Sequence, residues 1–70
     1  MSEVARLMRL IELECEAMQL AMNGYAVVAA HELINQKYRN IGALEDQLAI
    51  LVGEKEAEKI ACEAYIQVIG

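Results

Sequence analysis

Proline, tryptophan, phenylalanine and threonine are all missing from this chain of 70 residues. Without proline, no residue forces a helix to break from within. Without tryptophan and phenylalanine, the 57% hydrophobic content rests mainly on Leu, Ile, Val, Ala and Met. That palette suits helix-on-helix packing. Ser2 is the single serine and no Asp-His arrangement accompanies it, so a catalytic triad has no components. The four glycines form no phosphate-cradling loop. No motif specifies a reaction, a cofactor or a nucleic-acid partner.

Charge of one sign is also scarce. Six Lys and Arg stand against 11 Asp and Glu, for a formal net charge of −5. The basic residues Arg6, Arg9, Lys37, Arg39, Lys55 and Lys59 are scattered, so no basic patch displaces phosphate counterions. The opening residues lack the basic and apolar regions of a secretory signal. The longest stretch without a formal charge, from Ala17 to His31, falls short of the ~20 apolar residues that cross a bilayer. The expectation is a soluble, cytoplasmic protein that binds neither nucleic acid nor membrane.

What is present is periodicity. Val27, Ile34, Ile41 and Leu48 recur every seventh residue, and Ala30, Lys37, Leu44 and Leu51 follow three behind. This near-continuous heptad predicts one long amphipathic helix over about 25–52, with Gly53 as its stop. The register passes unbroken through Gly42, so the helix is expected to continue there. A first helix is predicted over about 2–22, with Ser2 as N-cap and Glu3 in its first turn. Val4, Leu7, Met8, Ile11, Cys15, Met18 and Met22 form its stripe, widened by Leu10, Ala17 and Ala21. Asn23-Gly24 should end it, because both residues tolerate a left-handed C-cap. A third helix is predicted over about 54–69. Ala57, Ile60, Ala61, Ala64, Tyr65 and Val68 form its main face, with Cys62, Ile66 and Ile69 to the side.

The resulting expectation is an all-α chain forming a single domain over residues 1–70. Its three antiparallel helices span about 30, 42 and 24 Å at 1.5 Å per residue. The long central helix acts as a spine with the others flanking it on different sides. Their apolar faces are too wide to bury within one chain. Leu13, Leu20, Leu33, Ile50 and Ile66 fall at stripe edges or beyond, which points to a helical-bundle homodimer.

Three groups of residues invite chemistry. Lys37 and Glu14 each occupy the middle of an apolar stripe, and folding the chain at Asn23-Gly24 brings them within about one helical turn. A partly buried ion pair is expected, within the subunit or across a dimer, with a role in register. The same folding sets Cys15 opposite His31, with Glu12, Glu16 and Glu32 nearby, a donor set compatible with zinc. Asn35 stands where a His-Glu-x-x-His motif starting at His31 needs its second histidine, and Val28 where a Glu-x-x-His pattern needs its carboxylate. No metal site is therefore assigned. Cys15 and Cys62 lie about 20 Å apart along the bundle, too far for an intrachain disulfide, and should be reduced core residues. Met8, Met18 and Met22 read as core.

The functional expectation is a small non-enzymatic interaction module, an adaptor or regulatory subunit. It would act by homodimerisation and helix-in-groove binding, or through its acidic outer face on a larger protein. The alternative is a metal- or small-ligand-binding helical bundle built around Cys15 and His31.

Overall fold

A computed structural model describes residues 2–24 and 27–70, with only the backbone of 27–30. Three α-helices account for nearly all of it: α1 (Glu3–Gly24), α2 (Val27–Val52) and α3 (Glu54–Ile69). No strand occurs among the described residues.

The helix ends follow local chemistry. Ser2 caps α1 as expected: its Oγ accepts a hydrogen bond from the Ala5 N–H at 3.1 Å. Glu3 sits in the first turn and pairs with Arg6, whose hydrogen bonds hold the Glu3 carboxyl below the usual carboxylate range. The other end of α1 departs from expectation. The helix carries on through Asn23 and Gly24 instead of stopping at Met22, and Gly24 does not adopt positive φ. Asn23-Gly24 therefore does not form the left-handed cap. The expected start of the second helix at Tyr25 lies outside the described residues.

Helix α2 runs unbroken through Gly42. Gly53 separates it from α3 with a single residue at φ 92 and ψ 157. The Gly53 N–H donates to the Ala49 carbonyl at 2.8 Å, closing α2, and its own carbonyl accepts from Ala57 at 3.0 Å, opening α3. One glycine thus ends one helix and begins the next. Its conformation is open essentially to glycine alone.

Every pair of helices packs together. The sequence assigned α1 and α3 to separate flanks of a spine, whereas here they also touch each other. The reason is the shape of α3. Its buried residues are Ala57, Ala61 and Ala64, small side chains at helical spacing that let its backbone approach closely. Large apolar groups come from the other two helices. Leu7, Ile11, Cys15 and Met18 of α1 and Leu48 of α2 are fully buried. Ile41, Leu44, Val52, Ile60, Tyr65 and Val68 pack around that centre. Burying a side chain such as Leu7 or Ile11 contributes about 1.5–3 kcal/mol.

Several residues expected inside lie outside. Leu51 ends the heptad at 49% exposure, because Leu44, Leu48 and Val52 carry the packed side of α2 there and Leu51 falls at its edge. Met8 and Met22 are exposed, leaving Met18 as the buried methionine of α1. Cys62 is exposed, since the alanine seam of α3 faces the core and Cys62 follows Ala61 round to the solvent side. The side chains of Val27 and Ala30 lie outside the described residues.

Candidate interaction surface

Glu14 and Lys37 meet. Lys37 Nζ lies 3.2 Å from Glu14 Oε2, and Asn40 Nδ2 donates to the same oxygen at 3.2 Å. Two donors from adjacent turns of α2 therefore converge on one carboxylate oxygen of α1. The charged side chains keep 21% and 24% of their surface in contact with solvent, so the pair is half-sheltered rather than buried. Among the described residues, no buried side-chain nitrogen or oxygen lacks a hydrogen-bond partner. The pair forms within the subunit, bridging α1 and α2.

That geometry makes a prediction. In Glu14→Ala, Lys37 and Asn40 lose their acceptor at a semi-apolar site. The loss should be about 1–2 kcal/mol, at the low end for charged hydrogen bonds because water reaches the site. The paired replacement Glu14→Leu with Lys37→Met leaves no orphaned charge and should be closer to wild type. Urea midpoints read this directly. Equal losses in the single and double variants would mean the pair contributes nothing of its own.

The pair sits at a groove between α1 and α2, lined by Leu10, Glu14, Asn40, Ala43 and Leu44. A second groove, between α2 and α3, has a different character: Glu45, Asp46, Glu54 and Glu58 line it with Ala49 and Ile50. A third, between α1 and α3, carries Glu12 and Glu63 beside Met8 and Ile60. Leu10 lies at Ala43 and Leu44 while Glu14 meets Lys37 and Asn40, and Tyr38 reaches Tyr65 across the single-residue connection at Gly53, so α2 is antiparallel to both neighbours.

The structure does not assemble Cys15 and His31 into a site. Cys15 is fully buried, whereas His31 and Glu32 are exposed. Glu12 and Glu16 are turned toward Arg9, at 3.0 and 4.0 Å. No group of three or more His, Cys, Asp or Glu that could hold a metal ion occurs among the described residues.

Both cysteines are free thiols in contrasting places. Burial, followed by the charges of Glu12, Glu14 and Glu16, pushes the Cys15 thiol above its ordinary range. A raised thiol pKa keeps the native state protonated when the unfolded chain has begun to ionise. Cys15 therefore contributes stability that is complete below about pH 8.5 and declines as pH rises beyond it. A thiol-specific chromogenic reagent at pH 8 should titrate one group, Cys62, within minutes. The second should react only at the rate of unfolding, or at once in denaturant. Two fast thiols in native protein would contradict this burial.

The sequence reading missed one contact. Tyr38 of α2 and Tyr65 of α3 stack at 6.5 Å between ring centroids and 21° between planes. Their hydroxyls lie 3.5 Å apart, either one able to donate. That hydrogen bond, then partial burial, pushes the Tyr38 phenol upward. The signal was available: folding the chain at Gly53 sets the two tyrosines within about one turn of each other.

No family model, curated protein or solved structure matches this chain. No helix is long and apolar enough to cross a membrane among the described residues. The fold defines the class: an all-helical, bundle-like three-helix protein.

Proposed function

We propose that this protein is a small non-enzymatic interaction module that works as a homodimer, by packing helices into grooves. One observation carries the reading: large apolar side chains are as prominent outside the bundle as inside it. Among the described residues, Leu13, Leu20, Ile50 and Ile66 are exposed at 43%, 70%, 85% and 64%, alongside Met8, Met22, Tyr38 and Leu51. The fully buried set of comparable size is Leu7, Ile11, Met18 and Leu48. A chain this small buries only about 60% of its unfolded surface, so covering more apolar area by association is a direct route to stability.

In this reading the Glu14–Lys37 pair sets register, fixing how α1 slides along α2 and so which surface is presented. Free thiols suit a reducing compartment such as the cytosol. The test is solution mass by light scattering on purified protein at micromolar concentration. A dimer supports the reading. A well-folded monomer overturns it.

A further inference from the structure

We propose that a second copy of this chain packs antiparallel on the outward face of α2, about a two-fold axis that passes between Gly42 and Ala43. This rests on the homodimer reading above and assigns its contact. Arg39, Ala43, Asp46 and Ile50 share one side of α2 by three- and four-residue spacing, and all four are exposed. Leu44 and Leu48, on the other side, pack into the bundle.

Two charges on this face lack the partners found elsewhere. On α1, Glu3 pairs with Arg6 and Arg9 with Glu12, each three residues apart. The positions three and four away from Arg39 hold Asn35, Gln36, Gly42 and Ala43. Those around Asp46 hold Gly42, Ala43, Ala49 and Ile50. None offers an opposite charge. Among the described residues, neither Arg39 nor Asp46 joins an ion pair with another helix.

Arg39 and Asp46 stand seven residues apart, about 10.5 Å along α2, too far to meet in one chain. An antiparallel pair of helices closes that distance. A two-fold midway between them sets Arg39 of each copy opposite Asp46 of the other, so the pair forms twice. A parallel arrangement would set arginine on arginine and aspartate on aspartate.

The midpoint that the charges select is also where two helices can come closest. Gly42 and Ala43 stand there, and four small residues at a crossing let the backbones approach. Nothing lies within 4 Å of a Cβ added at Gly42, so no contact within the chain calls for a glycine in the middle of this helix. Pairing Arg39 with Glu32 of the other copy would instead centre the crossing on the larger Asn35 and Gln36, and leave Asp46 alone.

The groove beside the face fits the same occupant. Asp46 and Ile50 line it together with Glu45, Glu54 and Glu58. Helical side chains lean toward their own N-terminus, so Arg39 of the second copy leans from Asp46 toward Ile50 and these carboxylates. Its stem lies across Ile50 at the rim of the contact. The two grooves fall on opposite sides of the axis, so each meets an arginine rather than the other groove.

Sedimentation velocity over a dilution series tests the assignment, with circular dichroism to confirm folding. Wild type is expected to sediment as a dimer. Arg39→Asp sets carboxylate against carboxylate, and Asp46→Arg sets guanidinium against guanidinium. Each alone should raise the dissociation constant at least ~30-fold. Mixed in equal amounts, the two variants should recover a heterodimer, because each supplies the charges the other lacks. The double variant, Arg39→Asp with Asp46→Arg, should be a homodimer again. Glu32→Arg, which tests the other register, and Glu63→Arg, in the α1–α3 groove, should leave the dimer intact. A dimer that survives both single changes overturns the assignment and leaves the homodimer reading standing. So does loss in both singles without recovery in the mixture and the double variant, and so does loss in either control. A wild-type monomer removes both proposals.

Discussion

Leu48→Ala is expected to bring the protein close to unfolding at room temperature. Leu48 is completely buried and, among the described residues, is the one residue of α2 in the central cluster with Leu7, Ile11 and Cys15 of α1 and Ala57 and Ala64 of α3. Truncation removes its transfer free energy and opens a cavity that three helices must close around. Such changes cost about 2–5 kcal/mol. A chain of this length has only roughly 3.5–10 kcal/mol in total at typical stability per residue. The comparison is Ile50→Ala, two residues along the same helix, where 85% of the side chain is already exposed. That change should stay within about 0.5 kcal/mol. Thermal and urea unfolding followed by helical ellipticity will show the contrast, at one fixed protein concentration because association adds to apparent stability. Similar losses at both positions would mean the register of α2 is wrong.

Opposite responses are expected at Gly53 and Gly42 to the same added methyl. At Gly53 nothing lies within 4 Å of an added Cβ, so space is not the obstacle. The backbone is: φ of 92 with ψ of 157 is a region that side chains other than hydrogen hardly enter. Gly53→Ala should cost about 1–3 kcal/mol, a fall of roughly 5–20 °C in melting temperature for a domain this size. The alternative for the variant is to extend α2 by another residue, which would rotate α3 and pull its alanine seam off the core. Gly42 lies inside α2, also with nothing within 4 Å of an added Cβ. Gly42→Ala should therefore stabilise by about 0.5–1 kcal/mol, by restricting the unfolded chain and favouring helix. A destabilised Gly42→Ala would show that α2 is bent or contacted at that point.

Most of the local architecture was readable without coordinates. The boundaries of α3, the passage of α2 through Gly42 and the cap at Ser2 all follow from apolar period and end chemistry, which act over a few residues. The Glu14–Lys37 pair was readable too, because a short connection folds two helices back at known rise per residue. Reading failed where a third element competes for the same space. Periodicity places Cys62 and Leu51 near an apolar stripe, yet it cannot say where the stripe's covered width ends. The α1–α3 contact and the exposure of Met8 both depend on how closely α3 approaches.

The amino-acid sequence alone determined the helices, their order, the glycine that divides the last two and the pairing of one carboxylate with one ammonium. Each depends on neighbours along the chain or across one tight connection. Tertiary structure alone decided which apolar side chains are dry. Burial is a property of all three helices at once: the small seam of α3 closes the core against α1 and α2 and leaves Leu13, Leu20 and Ile50 on the outside of the bundle.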